Sequence, residues 1–502
     1  MQAPRSRLLI FIVAYNAEKT IRSVLTRIPA ALGADYEVEV LIIDDSSRDG
    51  TFEQGHEVKS EQLIPFPIHV LHNPVNQGYG GNQKIGYQCA IENGFDFVAL
   101  VHGDGQYAPE CLPELLAPMK NGEAGAVFGS RMMTRGGALK GGMPLYKFVG
   151  NKILTWFENR TLRTSLSEFH SGYRVYRVDA LRRIPFHLNT RDFHFDTEII
   201  IQFVIARIPI LELPIPTYYG DEISHVNGLA YAWHVTIATA KARLQELSLF
   251  YDRKFDCAPM PAVHTHYALK LGFTSSHTMA LEAVRPGERV IDLGCAGGWF
   301  GAQLRSVRGC HVTGVDVDPP ADGVALDRFV KHDLDQGPPE LDYDDADVVL
   351  LLDVIEHLRS PERFVEELAP KLSPRTRLIV TTGNVAFGIT RLMLLFGEFN
   401  YGKRGILDLT HCRLFTFKSL RALFEQAGYQ IARVRGVPAP FPLATGDNAL
   451  SSFLLGLNKA LIHVTKGLFS YQMYYELRAY PSLSRLLVSA RESAHRRTMA
   501  TD

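Results

Sequence analysis

The 502-residue sequence lacks three features that would each indicate a particular class of protein. No run of about 18 uncharged apolar residues occurs, which argues against a membrane-spanning helix. The six cysteines include no CxxC pair, which argues against a disulfide framework or a zinc site of that type. The formal net charge of −1 lacks the basic excess of a nucleic-acid binder, so we expect no nucleic-acid partner.

Scattered thiols in so long a chain favour a reducing compartment, and we predict a cytoplasmic location. Peripheral contact with the inner face of a membrane is expected through Val385–Phe399 or through the C-terminal helices. The last stretch of the chain has a helical pattern that fits both a packed helix and a membrane-surface helix. The apolar run Leu8–Tyr15 has the character of a short signal peptide, but no small-residue cleavage site follows, which favours a buried strand.

Each half of the chain alternates short apolar runs with helical patterns, which predicts an α/β fold with parallel sheets. Such sheets bind ligands beyond the carboxyl ends of their strands. The proline-containing stretch Asp252–Val263 is the predicted linker between the halves. The predicted strands are Leu8–Val13, Glu39–Ile43, Phe97–Val101, Arg289–Leu293, His311–Val315, Val348–Leu352 and Arg377–Thr381.

Polar residues follow three predicted strands of the first half, in the stretches VAYNAE, IDDSSRDGT and HGDGQ. A carboxylate beyond a strand end can accept hydrogen bonds from a ribose or a base. A second carboxylate can hold a divalent ion that bridges two phosphates, and glycines let the backbone approach a diphosphate. Each motif alone also fits a tight turn, so the signal lies in their order and spacing.

At these residues the sequence resembles the family 2 glycosyltransferases of the GT-A fold, particularly the branch related to dolichyl-phosphate mannose synthase. The resemblance covers about residues 7–227 and includes YNAEKTI, LIIDDSSRDGT, NQGYGGNQKIGYQCA, HGDGQYAPE, GSR, SEFHSGYRVY, FHFDTEIIIQ and YYGDEISHVNG. It implies a GT-A (nucleotide-diphospho-sugar transferase) domain, a nucleotide-sugar donor, a glycan or lipid-linked acceptor, and Mn²⁺ or Mg²⁺ as a cofactor.

The resemblance also implies roles for individual residues. His102 stands where the family has the first aspartate of an aspartate-x-aspartate motif, and imidazole suits Mn²⁺ better than Mg²⁺. A metal ligand, a phosphate neighbour and a turn residue all remain open for it. The implied metal ligands are Asp104, Gln106, His102 and His225, and the implied nucleotide-sugar contacts are Ala14, Tyr15, Glu18, Asp44, Asp45, Lys84 and Arg131.

Asp196 falls where the family has its catalytic base. Transfer with inversion is a direct displacement, and a hydroxyl acceptor needs a base whereas an ionised phosphate needs little help. Acids are also favoured in the first turn of a helix, so Asp196 and Glu198 fit a capping role as well.

In the second half, the predicted strand Arg289–Leu293 enters the glycine-rich turn GCAGG, and Asp316 follows Asp292 by 24 residues. An acid at that distance suits a ribose diol, which alone also fits a dinucleotide site. The spacing D-x-G-x-A-x-G resembles the first motif of class I methyltransferases, over about residues 265–437. The absence of a GxGxxG fingerprint opposes an NAD-dependent oxidoreductase.

This second resemblance implies a Rossmann-like domain that uses S-adenosylmethionine. Methyl transfer needs positioning more than acid–base help. His411 or His357 can deprotonate a hydroxyl acceptor, although a lone histidine is more often structural. The implied cofactor-binding residues are Asp292, Gly294, Gly298, Asp316, Asp333, Leu334 and Asp353, and the implied catalytic residue is His411.

We therefore predict a bifunctional enzyme that transfers a sugar and methylates a related glycan or lipid-linked substrate. The alternative is an active methyltransferase that carries a catalytically weak sugar-nucleotide binding module, which His102 motivates. The predicted domains are a glycosyltransferase domain at 1–235, a helical segment and linker at 236–264, a methyltransferase domain at 265–440, and a helical C-terminal extension at 441–502.

Overall fold

A computed structural model of the chain describes residues 5–218, 227–246, 250–257 and 269–481. The chain divides into two compact units, residues 1–246 with 250–259 and residues 247–249 with 260–502. In the described ranges no helix has both the length and the apolar character needed to cross a membrane. The six cysteines all lie in these ranges, and no disulfide joins any two of them.

The described part of the first unit contains one sheet of seven strands. They are β1 (Ser6–Ala14), β2 (Tyr36–Asp44), β3 (Ile68–His72), β4 (Phe97–His102), β5 (Ala126–Ser130), β6 (Arg174–Arg177) and β7 (Ile210–Pro214), in the order β3-β2-β1-β4-β6-β5-β7. β6 is antiparallel to both β4 and β5, which corrects the prediction of parallel strands. An apolar run predicts a strand but carries no information about its direction.

The core of the first unit lies on both faces of this sheet. Ile10 and Ile12 of β1 belong to one apolar cluster, and Leu9 and Phe11 belong to another. A strand buried on both faces reads as a continuous apolar run. The helices that accompany the sheet are α1 (Ile21–Thr26), α2 (Leu32–Asp35), α3 (Thr51–Ser60), α4 (Tyr79–Glu92), α5 (Leu112–Lys120), α6 (Gly137–Lys140), α7 (Leu145–Leu162), α8 (Val178–Leu181), α9 (Phe195–Ile205) and α10 (Gly228–Glu246).

The described part of the second unit also contains a sheet of seven strands. They are β8 (Arg289–Leu293), β9 (His311–Asp316), β10 (Arg328–Lys331), β11 (Val348–Leu352), β12 (Arg377–Gly383), β13 (Tyr429–Val437) and β14 (Gln472–Ala479), in the order β10-β9-β8-β11-β12-β14-β13. Its helices are α11 (Ser276–Ala283), α12 (Trp299–Arg308), α13 (Pro361–Leu368), α14 (Gly388–Leu395), α15 (Phe417–Gln426), α16 (Phe441–Thr445), α17 (Ala449–Val464) and α18 (Lys466–Phe469).

β14 differs from the expectation of a purely helical C-terminal extension. Residues 441–469 are mostly helical, but β14 inserts between β12 and β13 and is antiparallel to both. Met473, Tyr474 and Tyr475 are all 0% exposed, so both faces of this strand are buried. A fully buried strand lacks the alternation that distinguishes it from a buried helix. The predicted domain limits stay predictions, and the one at residue 235 falls inside α10.

Candidate functional site

The carboxyl ends of β2, β1 and β4 lie side by side in the first unit. The parallel register pairs Ala14 with Asp44, and Val13 with His102. The three polar motifs that follow these strands therefore reach one edge of the sheet, as ligand-binding residues of parallel strands do.

Asp44 and Asp45 are buried, and neighbouring loops hold them by hydrogen bonds. Asp45 Oδ1 accepts hydrogen bonds from Asn73 Nδ2 at 2.7 Å and from the Gln77 amide at 2.8 Å. Asp44 Oδ1 accepts one from the Ser47 amide at 3.1 Å. The positions of both carboxylates are therefore fixed by the protein itself.

A cavity of about 350 Å³ opens beside Asp44. The rings of Phe52 and His72 meet edge-on in its wall, with 5.7 Å between their centroids. An aromatic wall next to carboxylate acceptors can hold a flat, hydrogen-bonding ring. The lining residues are Asp44, Ser47, Asp49, Phe52, Glu53 and His72.

The predicted contacts after β1 differ in exposure. The buried Ala14 accepts a hydrogen bond from the Asp45 amide at 2.9 Å through its carbonyl oxygen. Glu18 Oε2 accepts one from the Gly50 amide at 3.1 Å. Tyr15 is 42% exposed. Ala14 and Glu18 thus connect the loops after β1 and β2, whereas the Tyr15 side chain is partly exposed to solvent.

The His-Gly-Asp turn orients its two ionisable side chains differently. Asp104 is half-buried, and its Oδ1 accepts a hydrogen bond from the Gln106 amide at 3.0 Å. His102 Nε2 lies 3.2 Å from the Tyr79 hydroxyl, and burial lowers the pKa of His102. The His102 ring also packs edge-on against Tyr107, with 4.9 Å between centroids. The Nε2 edge of His102 therefore faces Tyr79 and not solvent.

Across the described ranges, no group of three or more His, Cys, Asp or Glu side chains is arranged to hold a metal ion. His225, predicted as a metal ligand, lies outside the described residues. Of the predicted ligands that the structure does describe, Asp104 is the one that offers a carboxylate.

Asp196 is the second residue of α9 and is buried. Its Oδ2 accepts a hydrogen bond from the Tyr79 hydroxyl at 3.0 Å, and its Oδ1 accepts one from Gln83 Nε2 at 3.1 Å. Nη1 of the fully buried Arg174 lies 3.5 Å from Asp196 Oδ1. These partners come from α4 and β6, so the carboxylate joins several elements and does not cap its own helix.

Arg131 and Lys84, both predicted donor contacts, are engaged inside the first unit. Arg131 Nε donates to Glu168 Oε1 at 3.0 Å, and its Nη2 donates to the His170 carbonyl at 3.0 Å. Lys84 Nζ donates to the Asn189 carbonyl, and burial lowers the pKa of Lys84. Either side chain would have to leave these partners to reach a diphosphate, so their roles stay predictions.

Three partners of Asp196 were not predicted from the sequence: Tyr79, Gln83 and Arg174. Tyr79 and Gln83 are four positions apart in α4, which places them on one face of the helix. That spacing was a usable signal. Arg174 lies 22 residues from Asp196, and nothing in the intervening sequence indicates the contact.

In the second unit, β8 runs into a turn with positive φ angles at Gly294 (+78°), Ala296 (+46°) and Gly298 (+75°). A Cβ on Gly294 would lie 2.5 Å from Cγ2 of Val354, so a side chain there would clash. The Ala296 amide donates to Asp316 Oδ2 at 2.8 Å. This hydrogen bond joins the turn to the end of β9, where Asp316 is the predicted contact of the cofactor's ribose.

The other predicted cofactor-binding residues of β8 to β10 reach the same edge. The register pairs Asp316 with Lys331, and Asp333 stands two residues after Lys331. Asp333 Oδ1 accepts a hydrogen bond from the Asp335 amide at 3.0 Å, and the next residue, Leu334, is buried. Burial and the nearby charge of Asp316 raise the pKa of Asp292 to about 7.

Asp353 follows β11 with a φ of +56°, a conformation that aspartate tolerates better than most residues. Thr381 Oγ1 donates to its Oδ1 at 2.8 Å, and Gln472 Nε2 donates to its Oδ2 at 2.8 Å. The first residue of β14 thus helps to fix a predicted cofactor-binding side chain.

Glu356 is a buried carboxyl group that was not predicted as a site residue, although it lies in the quoted motif DVVLLLDVIEHL. Its Oε2 has no hydrogen-bond partner in the described part of the chain. Burial, assisted by the charge of Asp353, raises the pKa of Glu356 to about 8. Its backbone carbonyl accepts hydrogen bonds from the backbone amides of Cys412 and Arg413. These bonds bring the neighbouring His357 and His411 together.

His357 and His411 meet edge-on, with 4.8 Å between their ring centroids. His411 Nδ1 lies 2.9 Å from the Ile406 carbonyl, which can only accept, so Nδ1 carries the hydrogen. Burial lowers the pKa of His411, which leaves a lone pair on Nε2. His411 therefore has the tautomer that a base requires, while a structural role is equally compatible with these contacts.

Two family models match the chain. The model of glycosyl transferase family 2 matches residues 9–185, and a methyltransferase domain model matches residues 267–434. The chain joins a family 2 glycosyltransferase domain to a methyltransferase domain. This confirms the two resemblances and the α/β fold class, and both domains are enzyme domains.

Individual proteins resemble the glycosyltransferase domain. An undecaprenyl-phosphate mannosyltransferase of Micrococcus luteus is 29% identical over 214 residues, which cover 42% of this chain and 82% of that protein. A UDP-N-acetylglucosamine–dolichyl-phosphate N-acetylglucosaminyltransferase of Methanococcus voltae is 27% identical over 221 residues, which cover 42% and 86%. The crystal structure of Mycobacterium tuberculosis glucosyl-3-phosphoglycerate synthase matches with a TM-score of 0.37 and 17% identity, and covers 49% of this chain and 82% of that one.

Proposed function

We propose that the glycosyltransferase domain transfers a sugar from a nucleotide-sugar to a lipid-linked phosphate. The observation that carries this proposal is the gathering of Asp44, Asp45 and Asp104 at one sheet edge. The two relatives are named for undecaprenyl phosphate and dolichyl phosphate, which supports a polyprenyl phosphate acceptor. They are named for different sugars, so the sugar is left open.

The residues present fit a divalent cation that is held mainly by the donor's diphosphate. Mg²⁺ sites of this kind take one or two carboxylates from the protein and complete their shell with phosphates and water. Asp104 would supply the carboxylate, with Gln106 beside it. The ion, when bound, neutralises negative charge on the leaving diphosphate.

The remaining groups have distinct tasks in this proposal. The cavity beside Asp44 would receive the nucleotide base, with Phe52 as an aromatic wall. Asp196 would orient the acceptor or accept its proton. An ionised phosphate acceptor needs little base catalysis, so orientation is the larger part of its task.

Substitution of Asp104 by alanine tests the proposal. We expect sugar transfer to a polyprenyl phosphate, measured with Mn²⁺ or Mg²⁺, to fall by at least about a hundredfold, because a metal ion supplies several kcal/mol of charge stabilisation. Asp179→Asn is the matched control, since Asp179 is exposed and pairs with Arg177 at the surface. Full activity of Asp104→Ala would refute the assignment. Nucleotide-sugar binding without transfer by the wild type would favour the alternative of a binding module.

For the methyltransferase domain, we infer transfer of a methyl group from S-adenosylmethionine to a glycan or lipid-linked substrate. The turn at Gly294, with no room for a side chain, and the acids Asp292 and Asp316 at its rim fit this cofactor. The cofactor, when bound, supplies a methyl group on a sulfonium. His411 would accept the hydroxyl proton of the acceptor through Nε2.

Titration calorimetry with S-adenosylmethionine tests the second domain. We expect binding by the wild type and none by Gly294→Arg, because the new side chain collides with Val354. Gly456→Arg is the matched control, since a Cβ on Gly456 meets open space. Equal binding by the two variants would place the cofactor elsewhere.

Each unit also has a helix whose apolar side chains are exposed, which supports contact with an anionic membrane surface. In α7 the buried residues are Thr155 and Glu158, while Ile153 is 60% and Trp156 68% exposed. Glu158, which is 0% exposed, is the one acidic residue of this helix, so its exposed charges are basic.

In the second unit, α17 likewise buries polar side chains and exposes apolar ones. It buries Ser451, Asn458 and one apolar residue, Ile462, while Phe453 is 66% and Val464 78% exposed. It contains no acidic residue. Apolar side chains beside basic ones suit the boundary between anionic headgroups and acyl chains.

Vesicle sedimentation tests this contact. With vesicles of phosphatidylglycerol and phosphatidylcholine we expect binding that Trp156→Asp or Phe453→Asp weakens, depending on which unit docks. Val307→Asp is the control, because Val307 is 56% exposed on α12, outside both helices. Failure of the wild type to bind such vesicles would refute a membrane contact.

A further inference from the structure

Tyr79 lies between His102 and Asp196 and contacts both. Its hydroxyl is 3.0 Å from Asp196 Oδ2 and 3.2 Å from His102 Nε2. A phenol has one hydrogen, and a carboxylate can only accept. Tyr79 therefore donates to Asp196, and its oxygen accepts from His102, so that Nε2 of His102 carries a hydrogen and no free lone pair.

The surrounding residues enclose this chain of hydrogen bonds. Phe193 stacks on the Tyr79 ring, with 5.3 Å between centroids. Gly172 packs against the other end, since a Cβ there would lie 2.5 Å from Nε2 of His102 and 3.1 Å from the Tyr79 hydroxyl. The glycine leaves room for the histidine and covers the bond. Burial and the charge of Asp196 raise the pKa of Tyr79, so the phenol keeps the hydrogen that it donates.

We propose that His102 is a positioning residue for Asp196, acting through Tyr79, and that its imidazole is not a ligand of the metal ion. Among the predicted ligands that the structure describes, Asp104 then supplies the carboxylate. The hydrogen bonds from His102 through Tyr79 to Asp196 connect the end of β4 to the starts of α4 and α9. They fix the Asp196 carboxylate, which would face the acceptor, relative to the turn with Asp104, which would face the diphosphate. The inference rests on the sugar-transfer function proposed above.

Substitutions of Tyr79 and His102 test this proposal. Tyr79→Phe removes both hydrogen bonds of the hydroxyl, and His102→Asn removes the one to Tyr79. Each should lower kcat by about tenfold to a hundredfold, as expected for a hydrogen bond to a charged group. His102→Gln places an amide near the position of Nε2 and should retain more of kcat than His102→Asn. The double variant Tyr79→Phe with His102→Asn should be no slower than the slower single variant, because both act through one chain.

Metal binding separates this role from ligation. Titration of Mn²⁺ and a nucleoside diphosphate into the protein should give the wild-type affinity for His102→Asn and a large loss for Asp104→Ala. A loss in His102→Asn comparable to that of Asp104→Ala would overturn the proposal, as would kcat losses that multiply in the double variant.

The unfolding free energies of the same variants give a readout that needs no turnover. The double variant should lose less than the sum of the two single losses, since contacting residues are coupled. If the wild type transfers no sugar, the proposed function fails. The double-variant comparison of unfolding free energies and the Mn²⁺ titration still decide whether His102 acts through Tyr79. Additive losses together with weakened Mn²⁺ binding in His102→Asn would overturn it.

Discussion

Asp196 in the glycosyltransferase domain and Glu356 in the methyltransferase domain are both buried carboxyl groups near the carboxyl edge of a sheet, but their partners differ. Asp196 accepts two hydrogen bonds and lies 3.5 Å from Arg174. Glu356 has an oxygen with no partner among the described residues, and the charge of another acid, Asp353, raises its pKa further.

The difference shows how each domain deals with the cost of burying a carboxyl group. An ionised carboxylate stays in a protein interior only where donors and an opposite charge offset its lost hydration. Asp196 has both. Glu356 lacks the opposite charge, and its pKa of about 8 means that it holds its proton at neutral pH. A buried acid beside a ligand site is therefore not by itself a base.

The most damaging change should be the removal of the guanidinium from Asp196. Arg174→Met leaves the carboxylate buried without its charged partner and strips hydrogen bonds from the carbonyls of Ser171 and Phe169. We expect a loss of about 3–5 kcal/mol in the free energy of unfolding. Denaturant unfolding at pH 7 measures it.

Arg177→Met is the matched control for this change, because Arg177 pairs with Asp179 at the surface. An exposed pair should contribute about 0–1 kcal/mol. Equal losses in the two variants would break the comparison, since burial would then not decide the strength of the pair.

The sequence predicted the strands and the residues at their carboxyl ends better than the hydrogen-bond partners of those residues. The strands Arg289–Leu293 and Val348–Leu352 agree with the structure at both ends. Val348–Leu352 is an apolar run between Asp347 and Asp353, and Arg289–Leu293 ends at Gly294. The meeting of Asp44 with the His102 turn also followed from parallel strand ends. The parallel direction of the predicted strands also followed, whereas β6 and β14, which were not predicted as strands, are antiparallel to their neighbours.

The partners of the site residues were beyond reach for a physical reason. Gln472 is 119 residues from Asp353, and Tyr79 is 117 residues from Asp196. Such contacts depend on how elements pack, which periodicity does not encode. The role of His102 shows the same limit, since the motif gave its position but not the direction of its Nε2.

Glu356→Gln should give the second largest effect, and one that depends on pH. The folded pKa of about 8 lies above the ordinary value of 4.5, so the unfolded chain loses its proton first as the pH rises. The stability that the protonated Glu356 contributes is complete below about pH 4.5 and is lost as the pH rises through about 8.

Glutamine cannot ionise, so Glu356→Gln should flatten this dependence and be about 1–3 kcal/mol more stable relative to the wild type at pH 8 than at pH 5. Melting curves between these values measure the difference. Glu362→Gln is the control, because Glu362 is exposed and pairs with Arg413. A parallel pH dependence in the wild type and Glu356→Gln would mean that Glu356 is ionised throughout this pH range.

The smallest effect should come from a single neutral donor. Thr381→Val removes the hydrogen bond to Asp353 Oδ1, while Gln472 still donates to Oδ2. We expect a loss of about 1 kcal/mol in the free energy of unfolding, and Thr381→Ser, which keeps the hydroxyl, should lose less. A loss as large as that of Arg174→Met would mean that the number of hydrogen-bond donors, and not the opposite charge, accounts for the difference between the buried acids of the two domains. A loss near the expected value would place the difference between Asp196 and Glu356 in the guanidinium, because the neutral donors around the acids would then be too weak to account for it.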